Sequence, residues 1–204
     1  ETRSIKKGDA GTGGITLAYR DDRQSADVTV FGMGRTLFNP IPGRIIDLKR
    51  KGGGVRGVWS RMVGMGQSTF RITGGTDIEF QSDDRQEFSN GGIPNSEVGN
   101  LNNERVFSVL TVGAQELNQH EQVLGIGPFV ELEWSPRSDV ILTAGGRYDR
   151  YLFKVDDKFI SVNDPDDSGS RIMNQFSPMV GVTYRPRPSL ALYGVFATSF
   201  QTPT

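Results

Sequence analysis

Residues 122–154 read QVLGIGPFVELEWSPRSDVILTAGGRYDRYLFK, two long alternating runs joined by the break Ser135-Pro136-Arg137-Ser138. In the first run Leu124, Ile126, Val130, Leu132 and Trp134 are apolar, while Gly125, Gly127, Glu131, Glu133 and Ser135 fall between them; Phe129 is the exception. In the second, Val140, Leu142, Ala144, Gly146 and Tyr148 share one face, and Thr143, Gly145, Arg147 and Asp149 share the other. Successive side chains of a strand point to opposite faces, so a period of two makes each run a strand with one apolar and one polar side. Proline and serine break the pattern where a hairpin needs its turn. Each run has about ten residues or more, the length a tilted strand needs to cross a bilayer and longer than the usual globular strand.

Alternation alone leaves two readings open. In a soluble antiparallel sheet the apolar side faces a core and the polar side faces water. A membrane barrel reverses this, with the apolar side toward lipid and the polar side toward the lumen. Overall composition narrows the choice only a little. The 204 residues carry 23 basic and 24 acidic side chains, a balance that argues against a dedicated nucleic-acid surface. The absence of cysteine excludes disulfides, zinc–thiolate sites and a cysteine nucleophile, and the single histidine, His120, excludes a multi-histidine metal site. No run approaches the ~18 apolar residues of a membrane helix, and no charged-then-apolar leader opens the chain. A mean hydropathy of -0.40 suits a soluble protein, but also a barrel whose lumen and loops outweigh its apolar band. The 26 glycines and scarce helical periodicity favour an all-β class.

Taken in order, the chain offers about eight strands. The first is Gly13 to Arg20, followed by a charged break at 21–24 and a run from Ser25 to about Thr36. Asn39-Pro40-Ile41-Pro42-Gly43 reads as a loop, since both prolines lack an N–H and glycine permits a turn. Ile45 to Met62 is interrupted by the polar, glycine-rich Lys49-Arg50-Lys51-Gly52-Gly53-Gly54, which suggests two pieces or a bulge. Ser68 to Gln81 alternates cleanly: Phe70, Ile72, Gly74, Ile78 and Phe80 against Arg71, Thr73, Gly75, Asp77 and Glu79. From Ser82 to about Glu116 the pattern dissolves, and so long a structureless loop is uncommon in a compact soluble domain. After the central hairpin come a loop over 155–171, a strand from Met173 to Arg185, a break at 186–189 and a last run from Leu190 to Phe200.

The connections alternate: short at 21–24, long at 37–44, short at 63–67, long at 82–116, short at 135–138, long at 156–172, short at 186–189. One end of the sheet then carries tight turns and the other large loops, the asymmetry of outer-membrane barrels and not of Greek-key sandwiches. Trp134 and Tyr184, and with them Trp59, suit an interfacial aromatic girdle near the turn end. The expected fold is an antiparallel up-and-down transmembrane β-barrel segment with short periplasmic turns and long extracellular loops.

FSPMVGVTYRPRPSLALYGVFATSFQTPT, Phe176 to Thr204, resembles the middle-barrel signature of TonB-dependent outer-membrane receptors: a Ser-Pro opening a strand, Tyr-x-Pro before a tight turn, a Leu-Tyr run and a Phe-x-Thr-Pro-Thr end. Gly146-Arg147-Tyr148-Asp149, Phe129 to Trp134 and Gly75 to Gln81 are similar to earlier hairpins of the same pattern. The resemblance is loose before Thr69 and good from there onward. It implies a barrel of about 22 strands filled by a plug, residence in the bacterial outer membrane, contact with its lipid, and uptake of a scarce nutrient such as a ferric siderophore. It also implies a TonB-type energising protein acting through the plug. The sequence shows no plug and no TonB-contacting box, so residues 1–204 are expected to be a partial barrel domain. The alternative is a self-contained small barrel or a soluble β-rich binding module.

Motifs with chemical meaning have plainer readings here. Gly52, Gly54 and Gly57 match the dinucleotide-binding G-x-G-x-x-G, with Asp77 about 20 residues on, but no helical face follows to meet a pyrophosphate. Asp164-Pro165-Asp166-Asp167-Ser168-Gly169 opens like a calcium loop, yet the twelfth position is Gln175 instead of a bidentate glutamate. Glu131 with Glu133, and Asp77 with Glu79, pair carboxylates on a strand face where Arg71 and Arg147 are available as partners. No Ser/His/Asp arrangement shows itself around His120. The expectation is therefore a non-enzyme with no catalytic, cofactor or metal residue to name. Ligand-contacting residues are unidentified, although the segments 82–116 and 156–172 would rim an entrance.

Overall fold

The computed structural model describes residues 6–41, 43–90 and 112–202. They form eight strands: β1 (Lys7–Arg20), β2 (Gln24–Ile41), β3 (Gly43–Met65), β4 (Ser68–Asn90), β5 (Val112–Arg137), β6 (Val140–Asp157), β7 (Gly169–Arg187) and β8 (Leu190–Ala197). Each pairs antiparallel with its neighbour in sequence, giving one sheet in the order β1 to β8 that does not close on itself. The described residues contain no helix. The all-β, up-and-down architecture expected from the alternating runs is the one observed.

Directly opposed residues lie on the same face, so the register lays out both surfaces. One carries Ile15, Val30, Val55, Ile78 and Ile126 in a single row, and Gly74, Val130 and Gly146 in another. The other carries Thr29, Arg56 and Asp77 in register, and beside them Arg147 and Ser177. Burial is inverted relative to a soluble domain. Val130 is 57% exposed and Val180 52%, whereas Asp83 is 1% and Asp149 7% exposed. Leu124 is exposed on the same face, and no second layer covers it among the described residues. Hollows on the polar side draw lining residues from strands as far apart as β1 and β5, so that side is concave and crowds its side chains together. The apolar side is the convex outer wall.

On β4 the apolar stripe runs from Phe70 to Phe80. That is about 34 Å of strand at the ~3.4 Å antiparallel rise, and about 25 Å upright at a ~40° tilt, the height of a barrel's lipid-facing band. Phe70 and Trp134 stack at its turn end, their centroids 5.9 Å apart and their planes within 2°.

The strands run further than the alternation suggests. β2 continues to Ile41 and β3 begins at Gly43, so the expected long link at 37–44 is strand on either side of residue 42, which lies outside the described residues. Gly43, at φ 77°, takes the left-handed conformation that tight reversal needs and that a Cβ would disfavour. β3 is one unbroken strand whose register to both neighbours has no shift, so it is neither two pieces nor bulged. Residues 82–90 and 112–116 also belong to strands, leaving 91–111 outside the described residues. Over 82–90 both faces are mostly polar above the apolar band, and over 37–48 apolar residues such as Leu37, Phe38, Ile45 and Ile46 fall on both faces, so periodicity vanishes while the backbone ladder goes on. The tight turns sit at 21–23, 66–67, 138–139 and 188–189. Register shifts follow Trp134 and Tyr184, where Pro136 and Pro186 have no N–H for the ladder. The last strand stops at Ala197, short of Phe200. Thr198 donates its N–H to the Pro178 carbonyl at 3.1 Å, and Pro178 has none to return.

Val130 lies near the middle of the outer stripe and Glu131 beside it faces inward. Val130→Arg is expected to destabilise the complete protein in bilayers by about 2–4 kcal/mol, with Glu131→Gln close to neutral. Denaturant unfolding in vesicles measures both; equal effects would contradict the assignment of faces.

Candidate functional site

The concave face is where this fold gathers its polar chemistry. At its centre Arg147 on β6 reaches two carboxylates. Its Nε donates to Asp149 Oδ1 at 2.6 Å on its own strand, and its Nη1 donates to Asp77 Oδ2 on β4. Arg56 on β3 approaches Asp77 from the other side at 3.6 Å. Strand β5 lies between Arg147 and Asp77, and the guanidinium crosses it over Gly127, where an added Cβ would strike Arg147 and Asp149. Glycine is needed there for close approach. Beside it the Tyr151 ring lies over Gly125, and the Phe129 ring over Gly75, in the same manner. Arg147, Asp149, Tyr151 and Ser177 line a hollow of about 540 Å³. The buried Ser177 Oγ has no hydrogen-bond partner among the described residues.

Residues 198–202 return across this concavity. Phe200 packs against Tyr151 with centroids 6.2 Å apart, and Thr202 lines a second hollow together with Arg50, Gln81 and Glu121. Above the apolar band the ion pairs thicken. Arg50 grips the buried Asp83 through Nε at 2.9 Å and Nη2 at 2.6 Å. Glu87, also buried, takes Arg44 at 2.8 Å and Arg85. Buried carboxylates of this kind require such partners, because an ionised group deprived of water and counter-charge is strongly disfavoured.

The carboxylate pairs read from the sequence do face the concave side. Asp77 is held by two arginines, whereas Arg71, opposite Glu133, turns to Met62 Sδ at 3.4 Å. Arg56, Asp149 and Asp83 gave no signal in sequence, because their partnerships depend on register. Gly52, Gly54 and Gly57 lie inside β3, with no helix after them. The calcium-like loop is closed by its own bonds: Asp157 N–H donates to Ser168 Oγ at 2.9 Å, and Ser168 N–H donates to Asp166 Oδ1 at 2.8 Å. Gln175 sits in β7, where calcium-loop geometry calls for a helix.

His120 does have partners, against expectation. On the convex side, just beyond Phe80 and Leu124, its Nδ1 lies 2.7 Å from Asp84 Oδ1 and its Nε2 3.3 Å from Ser82 Oγ. The connectivity is that of a nucleophile relay. Asp84, however, is 64% exposed in its side chain, and the group stands on a convex wall away from the hollows of the concave side. The Ser82 contact is long for activation of a hydroxyl. We read it as a clip between β4 and β5. The His120 bond holds the Asp84 carboxyl below its ordinary range. A lowered folded-state value contributes stability that is full above the ordinary carboxylate range of about 4 and is lost as pH falls from there through the lowered value.

Removing the Arg147 guanidinium leaves Asp77 and Asp149 facing each other's charge. Arg147→Met is expected to cost about 1–3 kcal/mol in denaturant unfolding, less than a dry interior pair because the lumen admits water. Adding Asp149→Asn should recover part of that loss, and strict additivity would show the groups to be uncoupled. At the clip, protection of the upper β4–β5 ladder against hydrogen exchange, taken relative to the intrinsic rate at each pH, should fall as pH drops below about 4. His120→Ala should abolish that acid dependence.

The arrangement of an apolar convex wall, a charged concave face and hairpins of unequal reach can now be set beside known proteins. A family model described as TonB dependent receptor-like, beta-barrel, matches residues 6–204. Among solved structures the chain is similar to the ferric-catecholate import receptor Fiu from E. coli K12 in its open form (TM-score 0.72, 12% identity, covering 97% of this chain and 36% of that one). It is also similar to the siderophore receptor PiuA from Acinetobacter baumannii (TM-score 0.71, 12% identity, 94% and 32%). A third is the ferric citrate transporter FecA in its unliganded form (TM-score 0.70, 12% identity, 93% and 27%). At such identity the likeness shows the fold alone, and the chain spans only about a third of each of those structures. Because the family model covers nearly every residue of a sheet with these two faces, the chain belongs to the β-barrel family of TonB-dependent receptors.

Proposed function

We propose that residues 1–204 are a section of barrel wall in an outer-membrane receptor that takes up a scarce nutrient, a ferric siderophore being the class best supported. The observation that carries this reading is the inversion of burial, with hydrocarbon-like side chains on the convex side and paired charges on the concave side. Such a wall separates lipid from an aqueous passage. The edges of β1 and β8 are unpaired within the sheet. In hydrocarbon each unsatisfied backbone group costs several kcal/mol, so the wall requires further strands to close it. The names of the similar structures, all ferric or siderophore receptors, favour iron chelates over other cargo.

In this scheme the extended hairpins, with segment 158–168 among their connections, capture the ligand. The charged concave face, with Arg56 and Arg147 at its centre, lines the route inward. A plug outside the described residues, displaced by a TonB-type partner, opens that route. Nothing in the scheme asks the chain to catalyse a reaction.

Cells dependent on the complete protein, grown under iron limitation with a panel of ferric chelates, supply the test. Growth on one chelate class should be lost on deletion and restored by the intact gene. With Arg56→Gln and Arg147→Gln together, uptake should fall several-fold while surface binding of the chelate stays. Growth unaffected by deletion on every iron source, with loss on an iron-free nutrient, would replace the ligand class; loss on none would overturn the transport reading.

A further inference from the structure

One row of the concave face differs from those around it. Across β2 to β6 it reads Phe31, Gly54, Glu79, Gly125 and Tyr151, each residue directly opposite the next. Glu79 stands on the middle strand with a glycine on either side. A Cβ built on Gly54 would come within 2.9 Å of the Phe31 ring, and one on Gly125 within 2.6 Å of the Tyr151 ring. Both rings therefore lean over the glycines toward the carboxylate, from opposite sides. Phe31, Glu79 and Tyr151 line the same hollow of about 570 Å³. Phe153 and Phe200 pack on Tyr151, each with centroids 6.2 Å away, and support its ring.

Glu79 is exposed and enters no ion pair among the described residues. Its neighbours on this face are paired: Asp77 with Arg56 and Arg147, Asp83 with Arg50, Glu87 with Arg44 and Arg85. The arginines that line the hollow, Arg50 and Arg85, are therefore already engaged. Glu121, the other acid in the lining, has Arg85 at 3.9 Å and the Gln119 amide. Arg35 and Arg171 share this face without an ion pair, but they stand in higher rows on β2 and β7, and neither lines the hollow. The charge left without a counterpart there is that of Glu79.

The face of an aromatic ring carries negative potential, so rings on either side of a carboxylate reinforce its attraction for a cation. A hard metal ion needs several oxygen ligands, and among the described residues no three acids or histidines come together to supply them. A neutral apolar solute would cover the rings but leave the carboxylate uncompensated. A large, weakly hydrated organic cation satisfies both, with its charge on Glu79 and its methyl or methylene groups against Phe31 and Tyr151.

We propose that the row of Phe31, Glu79 and Tyr151 binds an organic cation, an alkylammonium or guanidinium group borne by a solute, with Glu79 as counter-ion and the two rings as walls. The inference rests on the concave face lining an aqueous passage, and it goes beyond the transport reading by naming a charged group that the passage recognises. A lysine or arginine of the protein's own chain offers the same chemistry; the exposure of Glu79 to the concavity favours a solute.

Equilibrium binding of choline to the complete protein in detergent supplies the test, with neohexanol as its uncharged isostere. Choline should bind saturably and about ten-fold or more tighter than neohexanol. Glu79→Gln should bring the two ligands level, and Phe31→Leu or Tyr151→Leu should each weaken choline several-fold, with heat-modifiable mobility showing the barrel intact. Glu133→Gln is the control, because Glu133 is an unpaired acid of the same face whose row, from Met62 to Gly181, holds no ring. It should leave choline binding unchanged. At matched ionic strength tetramethylammonium should displace choline and sodium should not. Absence of saturable choline binding overturns the proposal, as do equal losses from Glu79→Gln and Glu133→Gln or equal displacement by sodium, which mark diffuse lumen charge. Carbodiimide coupling of Glu79 to a lysine of the same polypeptide would show the cation to be the protein's own and would also overturn it. Choline binding that depends on Glu79, in a protein whose deletion leaves growth on every nutrient intact, supports the site while refuting the transport reading.

Discussion

A strand in hydrocarbon has no water to accept its N–H or donate to its carbonyl, so its backbone must be satisfied by the strand beside it. That constraint shapes this chain more than any side-chain contact. It explains why sequence neighbours pair with so few register shifts, and why two of the irregularities fall where Pro136 and Pro186 remove a donor close to a tight turn, the others lying at Phe88 near the top of the β4–β5 ladder. It also explains why only Ile45 is a buried hydrophobic among the described residues: the sheet is held by its ladder, and the lipid does what a core does elsewhere.

With the backbone so committed, side chains divide the remaining labour by face. Outward residues need only be apolar and of tolerable size, which leaves room for the many glycines. Inward residues crowd on a concave surface, where size becomes critical. Gly75, Gly125 and Gly127 are small because Phe129, Tyr151 and Arg147 lie across them. The same crowding buries Asp149 and Asp83, and each survives as a carboxylate by taking an arginine.

The sequence was readable in proportion to the difference between the two environments a strand meets. From Phe70 to Phe80 and from Leu124 to Trp134, lipid on one side and water on the other impose an alternation that only Phe129 breaks, and this part of each strand could be placed from sequence. Beyond that band both sides are wet. Lys49-Arg50-Lys51 and Ser82 to Asn90 therefore look like loop, though the β3–β4 ladder runs through both without a shift and the β4–β5 ladder shifts only around Phe88. Pro40 misled for another reason: it sits at the end of a hairpin, opposite Ile45, where a missing donor is tolerable. The Arg147–Asp77 pair joins residues 70 apart in the chain. Only the register reveals it, as it reveals Ser82 and Asp84 on either side of His120. Interior charge could be expected from composition; who holds whom could not.

The tall hairpins have one more implication. Above Phe80, β4 and its neighbours are fastened less by hydrophobic contact than by Arg50–Asp83, Arg44–Glu87, Arg85–Glu87 and His120–Asp84. Attractions of that type weaken as mobile ions accumulate around them, while a wall immersed in oil is indifferent to dissolved salt. A single continuous strand is thereby anchored at its foot and tunable at its crown. The electrolyte around this upper part of the sheet sets how stiffly it is held.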